Sequence, residues 1–170
     1  MKGTGPALLL AAALAACCSR APGVGPAAPP RPALRVLPER GTGPADGVPA
    51  VRVEIAADPE SRSRGLMGRD LLHPDAGMLF VYPEDRELHY WMRGCRIPLA
   101  AAFLDAGGRI LNVAEMPPGA GIPDGDLRYY DSRGRARFVL EMEGGWFARK
   151  GIGPGDLVDL APALRGVVPR

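Results

Sequence analysis

Apolar positions follow two different patterns along this chain. Ala7 to Ala16 form one continuous apolar run, whereas from Val51 onward apolar residues come in short alternating bursts. Val51, Val53 and Ile55 alternate with Arg52 and Glu54, the period of a half-buried strand. Asp58-Pro59 pairs an N-cap with a proline at the first helical position, so a short helix is predicted to about Met67, stopped by Gly68. Gly77 to Tyr82 reads as an apolar strand. Leu88, Tyr90 and Met92 alternate with His89, Trp91 and Arg93 in the next one. Leu99–Leu104 and Arg109–Met116 flank Asp105-Ala106-Gly107-Gly108, a hairpin signal. Met116 to Asp126 has no apolar rhythm and reads as a long loop. Phe138, Leu140 and Met142 alternate with Val139 and Glu141 in a late strand. Gly144-Gly145-Trp146 opens a short helix that Gly151 ends, and Leu157, Val158 and Leu160 make a last strand. Short strands in close succession predict a mostly β (α+β) domain over residues 49–162. Its expected form is a compact antiparallel curled sheet or small barrel with one or two short helices, followed by a tail over 163–170.

The first apolar run is too short to cross a bilayer, which takes about 20 apolar residues. It follows the single charge of Lys2 and ends in Leu14-Ala15-Ala16-Cys17. A charged start, a short apolar core and small residues before a cut site mark a secretory signal. With Cys directly after Leu-Ala-Ala, the segment resembles a bacterial lipoprotein signal, residues 1–16. The resemblance implies that the Cys17 thiol is lipidated and becomes the mature N-terminus, with several acyl chains (palmitate among them) giving durable attachment. It also implies an exported, membrane-anchored protein, on the periplasmic face of the outer membrane where there are two membranes. The plainer alternative is an ordinary signal cut near Ala16. Residues 17–48 follow as a Pro-, Gly- and Ala-rich stretch with few large apolar residues, expected to be a disordered tether. Within it, Leu34, Val36 and Leu37 are the only group able to form a short interacting segment.

Composition narrows the function classes. A formal net charge of +2 argues against a nucleic-acid surface. Lys2 and Lys150 are the only lysines among 21 basic residues, which fits a base-composition bias alongside 23 Gly and 19 Pro. Three cysteines, two of them at the signal, leave Cys95 as the one thiol of the domain. In an oxidising compartment it must be buried, paired with Cys18, or reactive.

Few constellations carry chemistry. His89, Met92 and Cys95 would suit a soft metal, but strand alternation sends His89 and Met92 to opposite faces. No metal ligand set and no cofactor are therefore assigned. Cys95 with His89 is a formal nucleophile–base pair, with Asp105 as an orienting carboxylate, although Asp105 more simply shapes its turn. Met67, Met78, Phe80 and Trp146 read as core. Arg64, Arg69, Trp91 and Arg93 are the candidate ligand-binding set, because guanidinium offers a planar fork and indole a stacking face. Their structural alternative is that arginines close helix carbonyls and Trp91 fills the core.

Several words occur in a familiar order: Arg64-Gly65-Leu66-Met67-Gly68-Arg69, Gly77-Met78-Leu79-Phe80, Tyr90-Trp91-Met92-Arg93, Ile97-Pro98-Leu99, Phe103-Leu104-Asp105, and Gly145-Trp146 with Gly151. Together, over roughly Val51 to Leu160, they resemble the bacterial and archaeal family called domain of unknown function 192. The resemblance implies a small β-rich domain, often exported or lipid-anchored, with no established activity. Where that family has Asn-Thr and Pro-Leu-Asp, this chain has Gly94-Cys95 and Pro98-Leu99-Ala100. A catalytic role resting on those polar groups is in doubt here.

The resulting expectation is a membrane-anchored envelope lipoprotein, held through Cys17. Its domain binds a small anionic or carbohydrate-like ligand or an envelope protein, without catalysis and without nucleic acid. The alternative is an envelope hydrolase using Cys95 with His89.

Overall fold

The computed structural model describes residues 31–37 and 49–170. The expected signal segment, Cys17, Cys18 and most of the expected tether lie outside the described residues. Nine strands, three short α-helices and one 3₁₀ turn follow each other along the described chain. Seven strands form one sheet: β1 (Ala33–Leu37), β2 (Ala50–Ala56), β3 (Ala76–Arg86), β5 (Leu99–Leu104), β6 (Ile110–Met116), β8 (Ala136–Glu143) and β9 (Leu157–Asp159). Their spatial order is β6-β5-β8-β3-β2-β1-β9. All neighbouring strands run antiparallel except β2 and β3, which are parallel from Arg52↔Ala76 to Ala56↔Phe80. The chain needs a crossover to make that parallel pair, and α1 (Pro59–Arg64) lies in it. The sheet curls until its edges meet. Ile110 donates to the carbonyl of Asp156 at 2.9 Å and Val158 to that of Gly108 at 2.8 Å. At Gly108, with φ of +82°, a Cβ would stand 2.4 Å from the Val158 carbonyl, so the closure requires glycine.

Curling gives the sheet two covered faces. Inside, Leu34, Val36, Val53, Leu79, Leu104 and Phe138 pack with Trp146 and Phe147 of α2 (Trp146–Arg149). Outside, a second cluster sits on Phe80, Leu99, Ala101, Phe103 and Val139. It is covered by Leu66 from the chain after α1 and by Leu88, Tyr90 and Met92 around the small β4 (His89–Tyr90) and β7 (Tyr130–Asp131) ribbon. Every residue of β5 is buried for this reason. Phe80, Tyr90 and Phe103 form a chain of edge-to-face ring contacts at 5.3 and 5.6 Å, each contributing about 0.5–1.5 kcal/mol beyond area burial.

The predicted fold class is observed, with three short helices rather than one or two and one parallel strand pair. Other expectations need correction. Ala33–Leu37 is not tether but strand β1, with Leu34 and Val36 fully buried between β2 and β9. Two large apolar side chains at alternating positions are enough for a sheet already holding an open edge. The domain therefore begins before residue 49. The tail is tied down as well: Ala163 is buried in α3 (Ala161–Leu164), and Arg170 donates its amide to the Ala57 carbonyl. Helix α1 starts as predicted, with Ser61 donating to Asp58 at 2.9 Å in a reciprocal capping box. It stops at Gly65 rather than Gly68. The Leu88–Met92 strand is cut to two residues because the chain turns through Gly94, φ +64°, with Cys95 donating to the Met92 carbonyl.

A Leu34→Ala substitution removes a filled core position and should cost about 2–5 kcal/mol in urea unfolding. A linker residue would give no measurable change, and that outcome would remove β1 from the fold.

Candidate functional site

Three pieces of chain enclose a pocket on the outer face of the sheet. Its floor is sheet: Phe80 and Tyr82 of β3 and Glu141 of β8. One wall is the end of α1 with Gly65, Leu66 and Met67; the other carries His89, Tyr90, Trp91, Arg93 and Cys95. The walls are fastened together, since Gly68 donates to the Gly94 carbonyl at 2.9 Å. Gly119 and Ala120 both donate to the Cys95 carbonyl, holding that wall from behind. Gly65, φ +46°, lets the chain pass over the Phe80 ring, where a Cβ would come within 3.3 Å. The pocket volume is about 150 Å³, the size of a cavity that holds one benzene-sized molecule.

Glu141 dominates its electrostatics. Alternation along β8 sends Phe138, Leu140 and Met142 into the barrel and Val139 and Glu141 to the outer face. That face is covered, so the glutamate is only 5% exposed. Loss of water raises its pKa from 4.5 to about 8, with burial as the sole cause. No described group hydrogen-bonds to the carboxylate. No side-chain oxygen of the described residues is both sealed from solvent and without a partner, so the Glu141 oxygens open onto the pocket. At neutral pH the group is mostly a neutral carboxylic acid, able to donate as well as accept.

Its neighbours are kept neutral by the same desolvation. Burial, and secondarily the charge of Glu141, pushes the Cys95 thiol up to about 11. Burial also raises Tyr82 and, much further, Tyr90, whose hydroxyls lie 3.0 Å apart. Arg62 lies over the Tyr82 ring at 4.9 Å and donates to the carbonyls of Val81 and Arg170. Around the mouth stand Arg64, paired with Glu60, and Arg93, paired with Asp124 at 3.2 Å and set 5.7 Å from the Trp91 ring. Trp91 stacks on Tyr129.

The structure brings Arg64, Trp91 and Arg93 together at this pocket but not Arg69. Both nitrogens of the Arg69 fork bind Glu54, at 2.7 and 2.6 Å, and Arg31 joins the same carboxylate at 2.9 Å. Arg69 is thus the structural arginine of the set. Hydrogen bonding to Arg69 lowers the Glu54 pKa, the opposite of what happens at Glu141.

The nucleophile–base reading also meets its geometry here. Cys95 is a buried free thiol, unfavourable as a thiolate, and has no hydrogen bond to His89 among the described residues. His89 is bound instead through Nδ1 to Asp131 at 2.7 Å. Asp105 accepts from the amides of Gly107 and Arg109, shaping its turn. Met67 is half-buried against the outer cluster, while Met78, Phe80 and Trp146 are core.

Sequence reading missed Glu141, treating it as the polar side of a half-buried strand. The signal available was the apolar character of both faces of Leu99–Leu104 and of Gly77–Tyr82. A strand between two such neighbours has no solvent face.

Because its folded pKa lies above the unfolded value, Glu141 binds one more proton folded than unfolded between about pH 4.5 and 8. Stability is lost as pH rises through that window. Glu141→Gln should abolish this loss, leaving the variant more stable than the parent by several kcal/mol, to order of magnitude, at pH 8 and nearly equal at pH 4. Urea melts across pH test it, and parallel curves for the two proteins would contradict it. Arg69→Ala should cost about 1–2 kcal/mol through the lost fork and leave pocket binding unchanged.

No curated protein matches this chain. Two solved structures are similar to it. One is a candidate transcription regulator from Sinorhizobium meliloti 1021, 31% identical, covering 76% of this chain and 92% of its own, with a TM-score of 0.65. The other is a protein of unknown function from Novosphingobium aromaticivorans DSM 12444, 30% identical, covering 83% and 94%, with a TM-score of 0.64. The family model of DUF192, described as uncharacterized ACR, matches residues 42–160, from ahead of β2 through β9. With most of the chain matched and the curled sheet in place, this protein belongs to the DUF192 family.

Proposed function

We propose that this chain is a lipid-anchored envelope protein whose β-rich domain binds a small ligand in the pocket above Glu141, without chemistry of its own. The observation that carries the binding reading is Glu141: a buried carboxyl group, facing an open pocket, with no partner from the described protein. A buried polar group normally has its hydrogen bonds made, and leaving one unmade costs about 1–3 kcal/mol. Such a group at the base of an aromatic-walled pocket is supplied with a partner when a ligand enters. The non-catalytic part is supported by a thiol held protonated by burial and, among the described residues, without a hydrogen bond to His89. The Sinorhizobium relative's name points toward gene regulation, but a net charge of +2 does not favour a nucleic-acid surface on this chain. The anchor is supported by the Leu14-Ala15-Ala16-Cys17 pattern at the end of the apolar run.

Thermal-shift screening with sugars, cell-wall fragments and anionic metabolites tests the binding reading. A true ligand at one hundred times its Kd should stabilise the protein by about 2.7 kcal/mol, and Trp91→Ala should reduce the shift. A panel with no shift at millimolar concentration would overturn it. The anchor is read separately by mass spectrometry of the mature N-terminus. Cys17 should carry acyl chains, and Cys17→Ala should leave the membrane fraction; a variant that stays membrane-bound contradicts the anchor.

A further inference from the structure

We propose that the ligand of this pocket is a small zwitterion, its ammonium group seated on Glu141 and its anionic end facing Arg64 and Arg93 at the mouth. This deepens the binding reading and rests on it. The charges of the pocket are ordered by depth. Glu141 is the one acid among the lining residues, and it lies at the floor. Arg64 and Arg93 are half or more exposed, and their surface partners Glu60 and Asp124 stand outside the pocket. A simple anion would meet Arg64 and Arg93 at the mouth and a carboxyl group in the interior, while the remaining lining guanidinium, Arg62, already donates to the backbone oxygens of Val81 and Arg170. A simple cation would have to pass guanidinium groups that repel it. A molecule with an ammonium at one end and a carboxylate at the other meets the complementary charge at both depths.

The middle of the pocket fits the same molecule. Phe80, Tyr82, Tyr90 and Trp91 present ring surface, which accommodates an ammonium group beside a carboxylate and packs on an apolar side chain. A cavity of about 150 Å³ takes an amino acid of moderate size and no larger solute entirely inside.

Proton linkage gives the proposal its distinguishing mark. Tyr82 from β3, Tyr90 from β4 and Cys95 from the loop after it are the groups that feel the charge of Glu141, and Arg62 from α1 and His89 from β4 also line the pocket. Both tyrosines and the thiol stay neutral through the neutral pH range, so of these groups and Glu141 only the glutamate changes state there; His89 also lines the pocket, and Glu141→Gln isolates the glutamate's share of any proton linkage. Seating an ammonium group requires the Glu141 carboxyl to give its proton to solvent. The products are an ion pair and a released proton, so charge and protons balance. Affinity should rise about tenfold per pH unit well below pH 8 and flatten above it. A hydroxyl-bearing ligand would accept a hydrogen bond from the neutral acid and show no such slope.

The experiment is calorimetric titration of the unaltered domain with the common amino acids and with their 2-hydroxy acid counterparts. Each is measured at pH 6, 7 and 8 in buffers of different ionisation enthalpy. The expected result is that at least one amino acid binds at pH 7 with close to one proton released. It should bind about tenfold or more tightly than its hydroxy acid, the scale of one charge-assisted hydrogen bond. Glu141→Gln should remove that preference and the proton release while remaining folded, as its own melting curve would show. Binding of hydroxy acids or sugars without proton release overturns the zwitterion and leaves the pocket as a binding site. Failure of every probe, including the sugar and metabolite panel, overturns both.

Discussion

The structure turns on the fact that its central strands have no solvent face. β5 and β8 are covered on one side by the interior of the curled sheet and on the other by the cluster around Leu66, Tyr90 and Met92. Removing apolar surface from water on both sides is the main gain of a small domain, at about 25 cal/mol per Å². That arrangement leaves no solvent for a charged residue in the middle of β8, from Phe138 to Met142. Glu141 nevertheless stands there, paired in register with Met78 on one side and Ala101 on the other. The raised pKa of Glu141 follows from this placement, and burial in the same cluster, with the charge of Glu141 as a lesser cause, keeps Cys95 and the tyrosines neutral.

Two glutamates on the same sheet show how far environment governs chemistry. Glu54, on β2, is part-exposed and gripped by Arg69 and Arg31, and its pKa falls. Glu141, two strands away, has no cation against its carboxylate and its pKa rises. The first is a fastening between a strand and the chain after α1. The second is a destabilised group, and natural sequences keep such a group where it serves a site. That the surrounding loops are pinned by backbone hydrogen bonds through Gly68, Gly94 and Cys95 makes the pocket largely pre-formed.

Most of the fold was legible in the sequence, because alternation and turn chemistry act locally. The Asp58 cap, the Asp105–Gly108 hairpin and the Gly145–Trp146 helix start were all readable from neighbouring residues. What was hidden depended on distant partners. Leu34 and Val36 look like sparse apolar residues in a Pro-rich stretch, and only the open edge of β2 makes them a strand. Trp91, Arg64 and Arg93 were recognisable as ligand-binding residue types, yet Arg69 was indistinguishable from them until Glu54 was seen beside it. Glu141 was hidden most fully, since a single acid in an alternating strand reads as the wet side. Its meaning depends on what covers that side.

The central claim is that Glu141 is a neutral acid at physiological pH, held so by burial beneath an open pocket. Carboxyl ¹³C NMR of the glutamate-labelled domain, with the Glu141 resonance assigned by its loss in Glu141→Gln, measures this directly. The account predicts an inflection at about pH 8. A titration midpoint at the ordinary value of 4.5 would contradict it, because the carboxylate would then be hydrated or paired.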